Sequence, residues 1–366
     1  MTRSLDIVFL GLSLSSSWGN GHATTYRALI QGLRQDGHRV LFLERDVPWY
    51  ASQRDLASPD FCELGYYSDI DAMLQLHRDR LRLADAVIVG SYVPDGVALV
   101  DKLCTLEPKT LCFYDIDTPV TLAKLDRGDE EYLALRQVPR FDAYLSFSGG
   151  EVLALLERRY GARKAAALYC SVDELRYANT GEPHSWDLGY LGTYSPDRQP
   201  TLERLLLGPA RQLPSMRFVV AGPQYPAEID WPANIERIEH LAPADHASFY
   251  SRQRFTLNVT RSDMIVAGWS PSVRLFEAAA CGTPVISDFW RGLDELFPNG
   301  EAAIIAQGPA DVMAVLTELD DTSRTAIATA ARRRVLNGHT GAARAGQLAQ
   351  IISELPASRA YERISA

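Results

Sequence analysis

The sequence predicts an α/β protein built as two successive doubly wound halves, each a parallel sheet flanked by helices. Three observations carry this. At 366 residues the chain exceeds what one hydrophobic core usually organises. Short apolar runs bounded by turn residues alternate with stretches of helical periodicity, the pattern of repeated βα units. The alternation occurs twice, on either side of a polar stretch, Asn179-Thr180-Gly181-Glu182-Pro183, that cannot sustain a core.

In the first series, apolar runs over 5–11, 39–43, 86–90, 110–113 and 143–147 predict strands, and 165–169 a sixth. Helical periodicity falls over 23–35, 69–80, 94–106 and 150–160. Residues 170–187 are polar and turn-rich and predict the connection between the halves. The second series places strands at 188–192, 217–221, 235–238, 255–258, 284–287 and 302–305, and helices at 200–212, 244–251, 273–280, 309–319 and 323–336. The expected domains are 1–170 and 171–340, with 341–366 carrying a last helix, 341–355, that packs back on the first half.

Composition narrows the function. A net charge of −9 argues against bulk attraction to nucleic acid phosphates, so no nucleic acid partner is expected and any anion must be held locally. No apolar run approaches the roughly 20 residues of a membrane-spanning helix. The opening Met1-Thr2-Arg3-Ser4-Leu5-Asp6 lacks a cleavable-leader pattern, so a cytoplasmic location is expected. Cys62, Cys104, Cys112, Cys170 and Cys281 are scattered, without metal or redox spacing, and read as free thiols. Lysine is confined to Lys102, Lys109, Lys124 and Lys164, so the second half carries positive charge only on arginine.

The densest signal is Ser270-Pro271-Ser272-Val273-Arg274-Leu275-Phe276-Glu277-Ala278-Ala279-Ala280-Cys281-Gly282-Thr283-Pro284. A helix starting near Pro271 or Ser272 offers unpaired N–H groups and a positive dipole end to an anion. Arg274 adds a planar fork suited to phosphate oxygens. Glu277, three residues along the same face, can accept two hydrogen bonds from a cis-diol. The three alanines let the helix lie close on a sheet, and Gly282 ends it. The plain alternative is an i, i+3 surface ion pair between Arg274 and Glu277.

Residues 272–286 resemble the nucleotide-sugar signature of the GT-B fold glycosyltransferases, in particular the spore maturation protein CgeB-like and glycosyl transferases group 1-like groups. The resemblance extends to Gly192-Thr193-Tyr194-Ser195-Pro196-Asp197-Arg198 and to Ala221-Gly222-Pro223 at two earlier predicted strand ends. It implies two Rossmann-like domains facing across a cleft, in keeping with the rule that ligands bind beyond the carboxyl ends of such sheets. It places Glu277 on the donor's ribose hydroxyls, and Arg198, Gly222, Ser272 and Arg274 around its diphosphate. His240-Leu241-Ala242-Pro243 is similar to the loop that in this fold meets the nucleobase through backbone atoms. One position departs. The retaining branch carries a second glutamate eight residues before the ribose-binding one; here that residue is Trp269, so Trp269 or the Gly268 backbone is expected at the donor sugar. Retention or inversion stays open.

The first half contributes Gly19-Asn20-Gly21-His22-Ala23-Thr24-Thr25 between its first strand and helix. Such a loop approaches a ligand through its glycines, and it resembles the glycine-rich loop at that place in GT-B enzymes, where a histidine sometimes acts as base. His22 has suitable chemistry; the other reading is a loop histidine with no catalytic part. Tyr114-Asp115-Ile116-Asp117-Thr118-Pro119 ends the fourth predicted strand. Asp-x-Asp invites a metal, but the nucleotide signature lies in the other half, and GT-B chemistry generally needs no metal. Asp115 and Asp117 are therefore expected to face the acceptor hydroxyl or supply the base, unless Asp117-Thr118-Pro119 is only a turn. Ser146-Phe147-Ser148-Gly149-Gly150 is a further strand-end loop with a weaker signal.

A dinucleotide oxidoreductase would need G-x-G-x-x-G after the first strand, and Gly11-Leu12-Ser13-Leu14-Ser15-Ser16 does not supply it. A pyridoxal-phosphate phosphorylase would need a Schiff-base lysine, absent from the second half. The expected activity is metal-independent transfer of a sugar from a nucleotide-diphosphate donor, UDP- or dTDP-linked, to a hydroxyl acceptor, with no bound cofactor. A nucleotide-sugar epimerase or a non-catalytic binding relative would use the same donor residues.

Overall fold

Seven parallel strands form the sheet of the first unit: β1 (Asp6–Gly11), β2 (Arg39–Arg45), β3 (Glu63–Tyr67), β4 (Ala86–Gly90), β5 (Leu111–Asp115), β6 (Ala143–Ser146) and β7 (Ala165–Ala167). Their order is β3-β2-β1-β4-β5-β6-β7. The computed structural model describes residues 3–18 and 21–356, and the chain divides into two units, one running to Ser171 and resuming at Thr340, the other Val172–His339. Gly19 and Asn20 of the glycine-rich loop lie outside the described residues.

Strands β1 and β4 are buried apolar runs, Ile7-Val8-Phe9-Leu10 and Ala86-Val87-Ile88-Val89, as required where helices cover both faces. Ile7 pairs with both Val40 and Ala86, so β1 is an interior strand, next to the central β4. The chain steps outward from β1 to β3 and returns to β4 on the other side, which makes the carboxyl ends of β1 and β4 the switch point of the sheet. The loop after β1 is fixed by Glu44 at the end of β2. This buried carboxylate accepts from Ser13 Oγ (2.9 Å), Leu14 N (2.7 Å), Ser15 N (2.9 Å) and Ser15 Oγ (2.7 Å).

The last helix, Gly341–Glu354, packs on Gly21–Gln35 within the same unit. The helices meet through glycines. A Cβ at Gly32 would lie 2.3 Å from the Gly341 carbonyl oxygen, and one at Gly341 would lie 2.0 Å from that of Ala28, so neither position admits a side chain.

The second unit repeats the winding with six parallel strands: β8 (Trp186–Leu191), β9 (Phe218–Ala221), β10 (Ile235–Ile238), β11 (Gln253–Asn258), β12 (Val285–Ser287) and β13 (Ile304–Ile305), ordered β10-β9-β8-β11-β12-β13. Its core joins Leu188 and Tyr190 with Phe218, Phe255, Leu257 and the helix residues Leu205, Leu206 and Leu207. The switch point falls between β8 and β11, at Gly192 and Asn258.

Several elements differ from the sequence expectation. Strand β3 was not anticipated, nor was the helix Thr118–Asp126, because Thr118-Pro119 reads as a turn but places proline in a helix's first turn, where its missing N–H costs nothing. The helix expected over 69–80 is two, Ile70–Leu76 and Arg78–Leu83, broken at His77. That over 94–106 begins at Gly96, after Asp95 in the left-handed region at φ 56°. The one over 200–212 contains a π-helical turn at Glu203–Leu207. Strand 302–305 shortens to Ile304–Ile305.

Candidate functional site

In the second unit, the expected donor residues gather at the switch point. Ser272 is extended (φ −76°, ψ 152°) ahead of the helix Val273–Ala280, and its hydroxyl donates at 2.7 Å to Asn258 Oδ1 instead of capping its own helix. Arg274 donates from Nε to the Leu191 carbonyl (2.7 Å) and from Nη1 to Asn258 Oδ1 (3.0 Å), with its guanidinium 4.8 Å from the Tyr190 ring. Arg198 donates from Nη2 to the Thr193 carbonyl (2.6 Å), while its buried Nε has no partner. Burial pulls the Arg198 pKa down, and Arg274 and Arg261 add like-charge repulsion. Among the described residues none of these three arginines has a carboxylate within the 4.0 Å of an ion pair. The arrangement is a partly desolvated cluster of cations.

Glu277 sits one turn along the same helix and does not pair with Arg274, so the surface i, i+3 alternative is set aside. Its Oε2 accepts from Tyr250 Oη at 3.2 Å. Burial raises its pKa, and hydrogen bonds from Tyr177 and Tyr250 oppose that rise. Gly222 holds a different position from a phosphate ligand's neighbour alone: at φ 139°, a Cβ there would lie 2.1 Å from the Gly192 carbonyl oxygen, so it lets the β8 and β9 loops touch. His240, exposed, and Leu241, half-buried, follow β10. Trp269 is left-handed at φ 44°, after Gly268 at φ 70°, and its indole Nε1 donates to Glu295 Oε2 at 2.9 Å. That backbone is a strained one for a bulky residue.

In the first unit, His22 is the second residue of the helix after β1, with its ring edge-on to Tyr92 at 5.4 Å. Burial lowers its pKa to about 4, so the imidazole is neutral at pH 7. Tyr92 follows β4, is itself left-handed at φ 62°, and donates to Asp117 Oδ2 at 3.0 Å. It also packs on Tyr132 at 4.6 Å.

Asp115 corrects the expectation of two acceptor-facing carboxylates. It is completely buried: Oδ2 accepts from Tyr144 (2.5 Å), and Oδ1 from Thr121 (2.7 Å) and from the Asp117 backbone N–H (3.2 Å). Burial raises its pKa to about 6, against the pull of Tyr144 and Thr121. It supports the loop that carries Asp117, which is half-buried.

Sequence reasoning missed Tyr92, Asn258, Arg261, Tyr177 and Tyr250. Tyr92, Asn258 and Arg261 lie at or just beyond strand ends, the one signal that would have found them. Among the described residues there is no group of three or more His, Cys, Asp or Glu side chains placed to hold a metal ion, and no helix is long and apolar enough to cross a membrane.

Residues 198–350 match the family model described as glycosyl transferase-like, a segment that contains Arg198, Asn258, Arg274 and Glu277. No curated protein matches the chain. Among solved structures, sucrose-phosphate synthase from Thermosynechococcus elongatus is similar with a TM-score of 0.72 at 14% identity, over 96% of this chain and 99% of that one. Anabaena HepE in complex with UDP and glucose gives 0.67 at 14% identity, over 96% and 100%. The catalytic domain of starch synthase IV from Arabidopsis thaliana, bound to ADP and acarbose, gives 0.68 at 10% identity, over 96% and 99%. At these identities the likeness establishes the fold, two Rossmann-like units of the GT-B type. The chain thus has the GT-B fold, with a glycosyl transferase-like segment over residues 198–350 of it.

Proposed function

We propose that the chain transfers a sugar from a nucleoside-diphosphate donor, UDP-linked in the first instance, to a hydroxyl acceptor, in the manner of the CgeB-like and group 1-like enzymes its sequence resembles. The observation that carries this is the cluster of Arg198 and Arg274, neither of them ion-paired to a carboxylate, at the end of β8, with Glu277 one helical turn away. A diphosphate would neutralise the arginines and meet the helix N-terminus, and Glu277 would accept from the ribose hydroxyls. UDP in the HepE complex favours a uridine donor over dTDP.

In the reaction, the acceptor oxygen bonds to the sugar's anomeric carbon as the bond from that carbon to the diphosphate oxygen breaks. The acceptor proton goes to His22 or Asp117, and the nucleoside diphosphate leaves with the electron pair. Negative charge grows on the diphosphate in that step, where fixed arginines are most effective. Calorimetric titration with UDP, dTDP, GDP and ADP tests the donor assignment. Micromolar binding of one of them is expected, and millimolar or weaker binding of all four would remove it.

A further inference from the structure

Asn258 ends β11 fully buried, with all its hydrogen-bonding capacity used. Its oxygen accepts from Ser272 Oγ and Arg274 Nη1, and its nitrogen donates to Thr260 Oγ1 (3.1 Å) and Ser287 Oγ (2.9 Å). Behind these hydroxyls lies Asp288, which accepts from Thr260 N at 3.0 Å and Thr260 Oγ1 at 2.8 Å. The layers therefore run guanidinium, amide, hydroxyls, carboxylate. A carboxylate in place of the amide would accept the same two bonds from Ser272 and Arg274, but would give up the two that the amide nitrogen donates to Thr260 and Ser287, whose hydroxyls donate onward to Asp288.

The two also differ in charge. A carboxylate at 258 would form a charge-assisted pair with Arg274 in a partly buried place, where such pairs are strong. It would spend on the protein the positive charge a ligand would otherwise meet. As built, Arg274 and Arg261 both repel Arg198. Asp197, Glu277 and Asp288 act on the cluster from a distance, but no carboxylate is ion-paired to any of the three, and a bound anion would relieve the repulsion.

Resting on the reading that a nucleoside diphosphate binds here, we propose that Asn258 is a positioning residue for the transfer. It aims Arg274 at the diphosphate through a neutral acceptor and so keeps that guanidinium out of an ion pair, its charge available to the ligand. Asp288 anchors the same network one layer further back, where the hydroxyls of Thr260 and Ser287 separate it from the guanidinium.

The test is calorimetric titration of the full chain with UDP and with uridine, for the wild type, Asn258→Asp and Asn258→Ser. The ratio of the two affinities isolates the diphosphate. Asn258→Asp, which keeps the outline and the two bonds accepted from Ser272 and Arg274, adds charge and gives up the two bonds donated to Thr260 and Ser287, lowers the ratio about tenfold or more. Asn258→Ser, which loses the tether without adding charge, lowers it by less, and uridine binding stays within about threefold in both. An unchanged ratio in Asn258→Asp overturns the charge argument, as does an equal loss in the two variants. An unchanged ratio in Asn258→Ser overturns the positioning role and can be read even where the aspartate variant does not fold. A wild type that binds uridine as well as UDP contradicts the donor site itself, a separate failure.

Discussion

Tyr250 donates its hydroxyl to Glu277 Oε2 at 3.2 Å, fixing from a neighbouring helix the carboxylate assigned to the ribose. Tyr177 shares that carboxylate, and its hydroxyl also lies 3.3 Å from His246 Nδ1. Glu277→Ala is expected to weaken nucleotide binding by about 1–3 kcal/mol, the loss of charged hydrogen bonds. Tyr250→Phe removes only the support and is expected to cost less than about 1 kcal/mol. Titration with UDP reads both, and unchanged affinity in folded Glu277→Ala removes the ribose assignment.

His22 and Asp117 are separable as bases. If His22 takes the acceptor proton, His22→Ala lowers kcat by roughly 10²–10⁴ with little change in donor affinity. Tyr92→Phe frees Asp117 Oδ2 from its 3.0 Å bond and is expected to raise the acceptor KM several-fold while leaving kcat near wild type. A near-normal kcat in His22→Ala, with a large fall in Asp117→Asn, assigns the base to Asp117 instead.

The histidines also set an acid limit on stability. His22 and His246 both have pKa values lowered to about 4, each chiefly by burial, with Arg176 adding to the effect at His246. Their ordinary value is 6.5, so between pH 6.5 and 4 the unfolded chain binds more protons and stability falls as pH falls. Asp115, raised to about 6 by burial, works in the opposite sense over an overlapping window, as do Glu277 and Asp288, also raised by burial, while His77 and His184 are lowered and act with the two buried histidines. The melting temperature should drop from pH 7 to pH 5, and His246→Asn should flatten that drop by the equivalent of about 1–2 kcal/mol. An identical drop in wild type and variant would show that His246 is not the group responsible.

Buried strands with continuous apolar sequence, such as Ile7-Val8-Phe9-Leu10, were legible because the runs are short, rich in β-branched and aromatic residues and bounded by turn signals. Strand β3, Glu-Leu-Gly-Tyr-Tyr, was not: it lies at the sheet's edge, has no β-branched residue and carries a central glycine. In the site, Arg274 and Glu277 were legible because both stand on one helix at a fixed spacing. Asn258 was not, since its importance comes from reaching Ser272 and Arg274, 14 and 16 residues away, through tertiary packing. Asp115 misled for the same reason. Its sequence spacing to Asp117 is short, but Asp115 is the last residue of β5, inside the sheet, while Asp117 lies beyond the strand, at the cap of the helix Thr118–Asp126.

Metal dependence is a further point of decision. Asp115 is occupied by Tyr144 and Thr121, which leaves Asp117 without a second carboxylate to share a cation. Turnover is expected to survive EDTA. Loss of activity on chelation, restored by manganese or magnesium, would contradict this.

The central claim, transfer of a sugar to an acceptor, is tested most directly by following nucleoside diphosphate release from a UDP-sugar with and without a hydroxyl acceptor, with the product read by NMR. Release that depends on the acceptor, with a new glycosidic bond of one anomeric form, is the predicted result. Conversion of the donor to an isomer in the absence of any acceptor, or tight binding of the donor with no chemistry under any acceptor, would contradict it.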